Sequence, residues 1–198
     1  KKIKGKKDLI IFRGKFAKYI KKRNSISISL KILRNLNIIS SYYSVFVDKK
    51  IPVFAGLGGG TSNAAFLIQY MIKKKINKNF LNIFEKKIGS DFRLFLHKQG
   101  FVKNLKTINN FRMKYNLHFL LIYPNITSST SYVYSKVKKY SSKTKYDINK
   151  INNKKKFISF FSNKNNDLES IVESKNPIIR KILKSIEEQK GCYFSRMT

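Results

Sequence analysis

Ala55-Gly56-Leu57-Gly58-Gly59-Gly60-Thr61-Ser62-Asn63-Ala64-Ala65 is the stretch that decides how this chain is read. Four of its nine glycines stand between positions 56 and 60. Glycine accepts positive φ and lets another molecule come close to the main chain. Upstream, Tyr42–Val47 (YYSVFV) is rich in β-branched and aromatic residues and is predicted to be a strand. The polar break Asp48-Lys49-Lys50 and then Ile51-Pro52-Val53 lead from it into the loop. Downstream, Ala64, Ala65, Leu67, Ile68, Met71 and Ile72 fall on one broad apolar face, which predicts a helix over 61–75. Strand, glycine loop and helix start, in that order, aim several free N–H groups and the positive end of the helix dipole at one point, which suits a phosphate. Thr61 and Ser62 add hydroxyls able to bond a phosphate oxygen or a metal-bound water. The loop is not a Walker A motif, which would end in Gly-Lys-Ser/Thr, and Thr61 stands where a dinucleotide fingerprint needs its third glycine. Close helix packing alone seldom calls for three successive glycines followed by two hydroxyls.

Composition narrows the classes. The chain has 198 residues, 42% of them hydrophobic, with 16 Phe and 11 Tyr, enough apolar mass for a packed core. Cys192 is the one cysteine, which excludes a disulfide scaffold or a cysteine-based zinc cluster. No apolar run approaches the roughly 18 residues a membrane span needs. The 43 Lys+Arg against 10 Asp+Glu give a net charge of +33, a value usually tied to nucleic acid. Here the lysines run from end to end, and 19 Asn and 26 Ile rise with them. That is the signature of an AT-rich coding sequence, so nucleic acid is disfavoured as a partner, although the charge can steer an anionic ligand inward. No apolar signal-peptide segment follows the basic start. The expectation is a cytoplasmic protein with no membrane partner, whose chain continues beyond both Lys1 and Thr198.

Working outward, Asp8–Phe12 is predicted as a strand and Asn24–Asn35 as a helix, with Asn24-Ser25 as its N-cap and Ile26, Leu30 and Leu33 as its stripe. Asn79–Lys87 reads as a second, shorter helix after the long one. Phe92–Leu96 and Gly100–Ile108 read as strands around a turn, and Tyr115–Tyr123 (YNLHFLLIY) as a buried strand ended by Pro124-Asn125. Lys138–Lys156, dominated by Lys, Asn and Ser, is expected to be a long loop or a poorly ordered insertion. Helices follow over Lys155–Phe161 and Asn166–Val172. Another runs from Pro177 through Ile178, Ile182, Leu183 and Ile186, closed by Gly191, and Cys192–Met197 is expected to be a strand. The class is α+β, with a boundary near 112–116.

At the glycine loop the sequence resembles the GHMP kinases, small-molecule kinases that use a Pro-x-x-x-Gly-Leu-Gly-Ser/Gly-Ser-Ser loop in place of a Walker A motif. Pro52 through Ala65 matches that pattern at the right spacing. Further segments agree in order: Ile88-Gly89-Ser90-Asp91; Pro124 to Thr130 with Tyr134; Asn166-Asp167-Leu168-Glu169; and Gly191 with Ser195-Arg196-Met197-Thr198. Within the superfamily they look most like the branch acting on a cytidine-diphosphate methylerythritol. The resemblance implies an ATP- and Mg²⁺-dependent kinase that phosphorylates the 2-hydroxyl of that small-molecule substrate on the non-mevalonate route to isoprenoid precursors. It also implies the two-domain GHMP fold, with a ribosomal-protein-S5-domain-2-like ATP-binding domain over 1–114 and a ferredoxin-like α/β sandwich over 115–198, nucleotide and substrate meeting between them. A homodimer is compatible with this reading.

By matching position, the resemblance makes Asp91 the catalytic residue, accepting or orienting the proton of the attacking hydroxyl. Pro52, Ala55, Gly56, Leu57, Gly58, Gly59, Gly60, Thr61 and Ser62 form the phosphate loop, and Asn24, Lys49 and Asn63 line the adenine pocket. Standing alone, Lys49 would be taken for a surface lysine and Asn24 for a helix cap. No side-chain metal ligands are expected, and neither His97 nor His118 has ligand spacing. The family's Pro-Ala-Lys-x-Asn strand, its Asp-Gly-Tyr-His segment and its closing Gly-Ser-Gly do not occur in these residues, so the 198 residues alone are expected not to turn over substrate. Phe92-Arg93-Leu94 departs from the usual Val-Pro-Phe, Phe54 is bulky for its place, and Gly100–Leu105 lacks the usual Gly-x-Gly-Glu. The alternatives are another GHMP kinase, acting on homoserine, mevalonate or a sugar, and a basic RNA-binding module, which gives no reason for the glycine loop.

Overall fold

A β-α-β unit that leads into the glycine loop organises the first half of the chain. The computed structural model describes residues 1–53, 55–72, 76–104, 107–111, 114–126, 128–142 and 148–198. They divide into two units, Lys1–Asn110 and Phe111–Thr198.

In the first unit, β1 (Lys2–Ile3), β2 (Leu9–Arg13) and β3 (Tyr42–Asp48) form a sheet in the order β1-β3-β2. β1 lies antiparallel to β3, and β2 parallel to it, with Leu9 opposite Ser44 and Arg13 opposite Asp48. A parallel pair needs a crossover, and α1 (Ser25–Asn35) supplies it. The Asn24 side chain accepts from the N–H groups of Ile26 and Ser27, and the Ser27 hydroxyl accepts from the Asn24 N–H, closing a capping box. Asp8 ties the layers together: it accepts the Tyr43 N–H at 2.9 Å and pairs with Arg34 near the end of α1.

Alternation along the strands turns Ile10, Phe12, Val45 and Val47 toward the helices and leaves Leu9, Ile11 and Phe46 exposed on the other face. The core is filled by Ile26, Leu30 and Leu33 of α1, Ala65 and Ile68 of α2 (Gly59–Ile72), and Phe84 of α3 (Lys78–Ile88). Burying each large side chain contributes about 1.5–3 kcal/mol. Phe92 completes this core, but not from a strand: Ser90–Leu96 is a 3-10 helix. Phe92 and Phe95 are spaced three apart, the repeat of that helix, so both face the core from one side. The hairpin β4 (Gly100–Asn104) and β5 (Thr107–Asn110) ends the unit.

The second unit holds α4 (Thr130–Ser135), which the sequence reading missed, α5 (Lys154–Ser162), α6 (Glu169–Lys175) and α7 (Pro177–Glu187). Its core gathers around Phe157, whose ring packs 4.9 Å from that of Tyr115, 5.2 Å from Phe111 and 4.7 Å from Phe161. Ile148, Ile151, Val133 and Val172 are also buried. Two expected strands do not form here. Tyr115–Tyr123 pairs with no strand among the described residues, and Phe119 and Leu120 are 83% and 80% exposed. Residues 192–197 are likewise not in a strand. Of the expected loop over 138–156, residues 143–147 lie outside the described residues, and its end is already helical in α5. Among the described residues no helix is long and apolar enough to cross a membrane.

Candidate active site

The site is built from where α2 begins. In an α-helix the first N–H groups have no partner within the helix. Here the first backbone bond into α2 runs from the Ser62 N–H to the Gly58 carbonyl at 2.8 Å. The N–H groups of Gly56, Leu57, Gly58, Gly59, Gly60 and Thr61 have no acceptor among the described residues. Two glycines permit this bend for different reasons. Gly58 has φ +58°, and a Cβ on it would stand 2.6 Å from Phe95 Cζ. Gly59 is a close approach: its Cβ would stand 2.9 Å from Lys49 Nζ and 3.3 Å from Ile51 Cγ2.

Lys49 is therefore not a surface lysine. It is 4% exposed, immediately after β3, with its N–H bonded to the Arg13 carbonyl at 2.6 Å. Its ammonium has no hydrogen-bond or carboxylate partner among the described residues. Burial lowers its pKa from the ordinary lysine value, because desolvation disfavours the charged form. A buried ammonium and an open helix start, both positive, thus meet at Gly59.

Two other segments close on the loop. Ser25, the first residue of α1, brings its Oγ to 3.6 Å from where a Gly60 Cβ would be, so the starts of α1 and α2 are neighbours. Gly89 lies against α2, where its Cβ would stand 3.2 Å from Thr61 Oγ1. From Gly89 the chain enters the 3-10 helix carrying Asp91, whose carboxylate is exposed and accepts from Ser90 Oγ at 3.3 Å. Among the described residues no cation lies within ion-pair distance of Asp91.

The 4-diphosphocytidyl-2-C-methyl-D-erythritol kinase of Pelagibacter ubique is 35% identical over 98% of this chain, and the match covers 69% of the relative. The chain belongs to this kinase family. Kinases of the same name from a Sulfurihydrogenibium species and from Buchnera aphidicola are 37% and 32% identical, over 64% and 77% of the chain. The chain spans about half the length of each of those two, 48% and 52%. No family model matches, and no solved structure does.

Among the other residues expected to serve a kinase site, Pro52 is buried, Ala55, Leu57, Thr61, Ser62 and Asn63 are half-buried, and Gly56 and Gly60 are exposed. Asn24 spends its amide on the main chain: besides its two capping bonds it donates to the carbonyls of Lys21 and Lys22 at 3.3 and 3.1 Å. The sequence reading missed Ser25, Gly89 and Phe95, which press the neighbouring segments onto the loop. The Phe-x-x-Phe spacing of Phe92 and Phe95 was the available signal for the last of these.

The motif segments of the second unit hold one another. The Asn166 side chain donates to the Met197 carbonyl at 3.0 Å, and Glu169 Oε2 accepts the Met197 N–H at 2.7 Å. Arg196 donates to the carbonyls of Ser162 and Lys164 at the end of α5. Asp167 accepts from the N–H and hydroxyl of Ser141, which hold its carboxyl below the usual range.

Proposed function

We propose that the protein is an ATP-dependent kinase that phosphorylates the 2-hydroxyl of 4-diphosphocytidyl-2-C-methyl-D-erythritol, supplying isoprenoid precursors in the cytoplasm by the non-mevalonate route. The observation that carries this reading is the meeting of open N–H groups at the start of α2 with the buried Lys49 ammonium, which has no partner among the described residues. Both are positive and both lack an acceptor among the described residues, so an anion completes them. The polyphosphate tail of ATP fits that chemistry. The glycines admit it, since a side chain on Gly58 or Gly59 would collide with Phe95 or Lys49.

In this reading Gly56 to Gly60 hold the phosphates through main-chain N–H groups, and Thr61 and Ser62 offer hydroxyls to them or to Mg²⁺. Lys49 faces the nucleotide, with Asn63 toward the base, while Asn24, its amide engaged by the main chain, fixes the start of α1. Among the described residues no group of three or more His, Cys, Asp or Glu forms a metal-binding cluster. A divalent ion would therefore be carried mainly by the phosphates, where it neutralises charge on the transferring group. Asp91, one turn from the Gly89–Thr61 contact, orients the acceptor hydroxyl and takes up its proton. Positioning of this kind supplies most of the acceleration in phosphoryl transfer. The architecture that goes with it is the GHMP pair of domains over 1–114 and 115–198.

The test is ADP release by the full-length protein with ATP and the cytidylyl substrate, repeated with Asp91→Asn. Turnover is expected in the first case and a fall of about 10²–10⁴-fold in the second. No turnover by the full-length protein rejects the assignment; unchanged turnover in D91N rejects only the role of Asp91.

A further inference from the structure

We infer that Arg93, through its fork on Glu85, is a positioning residue that aims Asp91. The inference rests on the proposed role of Asp91, and its geometry lies outside the phosphate loop. Asp91 has little of its own to hold it: its carboxylate is exposed and receives the neighbouring Ser90 hydroxyl. What directs it is the rotation of the short helix on which it stands. A 3-10 helix turns once in about three residues, so residues 91, 92 and 93 leave its axis in three directions about 120° apart. Two of those directions are fixed. Phe92 is fully buried, its ring centroid 5.2 Å from that of Phe84 on α3. Arg93 reaches Glu85 on the same helix with both arms, Nε to Oε1 at 2.7 Å and an Nη to Oε2 at 2.9 Å. Both partners of the pair are about 15% exposed, which makes the fork stiffer and less screened than a surface ion pair.

A ring in an apolar pocket can still swivel about its own anchor, and a planar two-point bond stops it. With Phe92 and Arg93 both pinned to α3, the third direction, that of Asp91, follows. The type of cation matters as well. Only seven of the 43 basic residues are arginine. Among the described residues, four arginines pair with carboxylates: Arg34 with Asp8, Arg93 with Glu85, Arg180 with Glu173 and Arg196 with Glu187. Of these, Arg93 is the one two positions from the proposed proton acceptor. A lysine there would keep the charge and lose the plane.

The test uses the full-length protein, with kcat from ADP release and ATP affinity from calorimetric titration. Arg93→Met is expected to lower kcat about tenfold or more, since small misplacements of a reacting group are costly, while the Kd for ATP stays within about twofold. If R93M does not fold, Arg93→Lys carries the test by the same split. Unchanged kcat, or a fall in kcat matched by an equal loss of ATP affinity, overturns the inference by making the fork idle or merely structural. Asp91→Asn serves as the control. Full turnover in D91N removes the reading of Asp91, and this inference with it; an inactive D91N beside a fully active R93M removes the inference alone.

Discussion

The two units of this chain treat their apolar residues in opposite ways. In the first, Leu30, Leu33, Ile68, Phe84 and Phe92 are wholly buried, contributed by two helices, a third beside them and a 3-10 segment over one sheet face. In the second, Phe119, Leu120, Leu121 and Ile122 stand exposed in a row, and α7, apolar along one side, has no fully buried residue. The first unit can satisfy its hydrophobic pattern from within, because β2, α1 and β3 are consecutive and each supplies the face its neighbour needs. The second carries strand-like sequence with no ladder among the described residues. The proposed phosphate loop thus sits in the unit with the better-filled core, Lys1–Asn110.

The largest way to sharpen this contrast is truncation in the first core. Leu30→Ala should cost about 2–5 kcal/mol in denaturant unfolding monitored by circular dichroism, since the site has no solvent side into which to relax. The contrast breaks if this cost is no greater than that of Val172→Ala in the second unit.

The next effect concerns the charge inside the better-packed unit. Lys49→Met should stabilise the protein by roughly 0.5–2 kcal/mol at neutral pH, because it replaces a buried ammonium that has no partner among the described residues, and at the same time weaken the proposed ATP binding. The sign with pH follows from the lowered pKa. In the interval between the depressed folded value and the ordinary lysine value near 10.4, the unfolded chain holds more protons than the folded one, so wild-type stability rises with pH. The advantage of K49M is full below the folded pKa and should shrink as pH climbs toward about 10, which thermal melts at stepped pH will show.

The smallest effect belongs to the exposed run. Leu120→Ser should change stability by no more than about 0.5 kcal/mol, measured by the same melts. A much larger loss would mean that the segment is covered in solution, and would bring the two units closer in character.

What the sequence made legible follows the range of the forces involved. Asn24 as a cap, the stripe of α1 and the glycine start of α2 are written in neighbouring residues, and the structure has all three. Phe92–Leu96 misled because short apolar spacing suits a strand or a tight helix, and only the pocket around Phe84 selects between them. Tyr115–Tyr123 misled for a longer-range reason, since a strand exists only if another segment pairs with it. Residues 192–197 are held instead by side chains, from Asn166 and Glu169 to the main chain of Met197 and from Ser195 Oγ to the Leu183 carbonyl at 3.0 Å. Lys49 was marked only by the resemblance, and its burial was hidden by composition: in so basic a chain one more lysine carries little information, and its burial depends on where β3 delivers it.

That delivery has a consequence for how the resting protein behaves. The end of β3 and the beginning of α2 bring like charges toward each other at Gly59, with the Lys49 side chain buried. If the proposed phosphate site is right, negative charge arriving there relieves that crowding instead of bending the molecule out of shape.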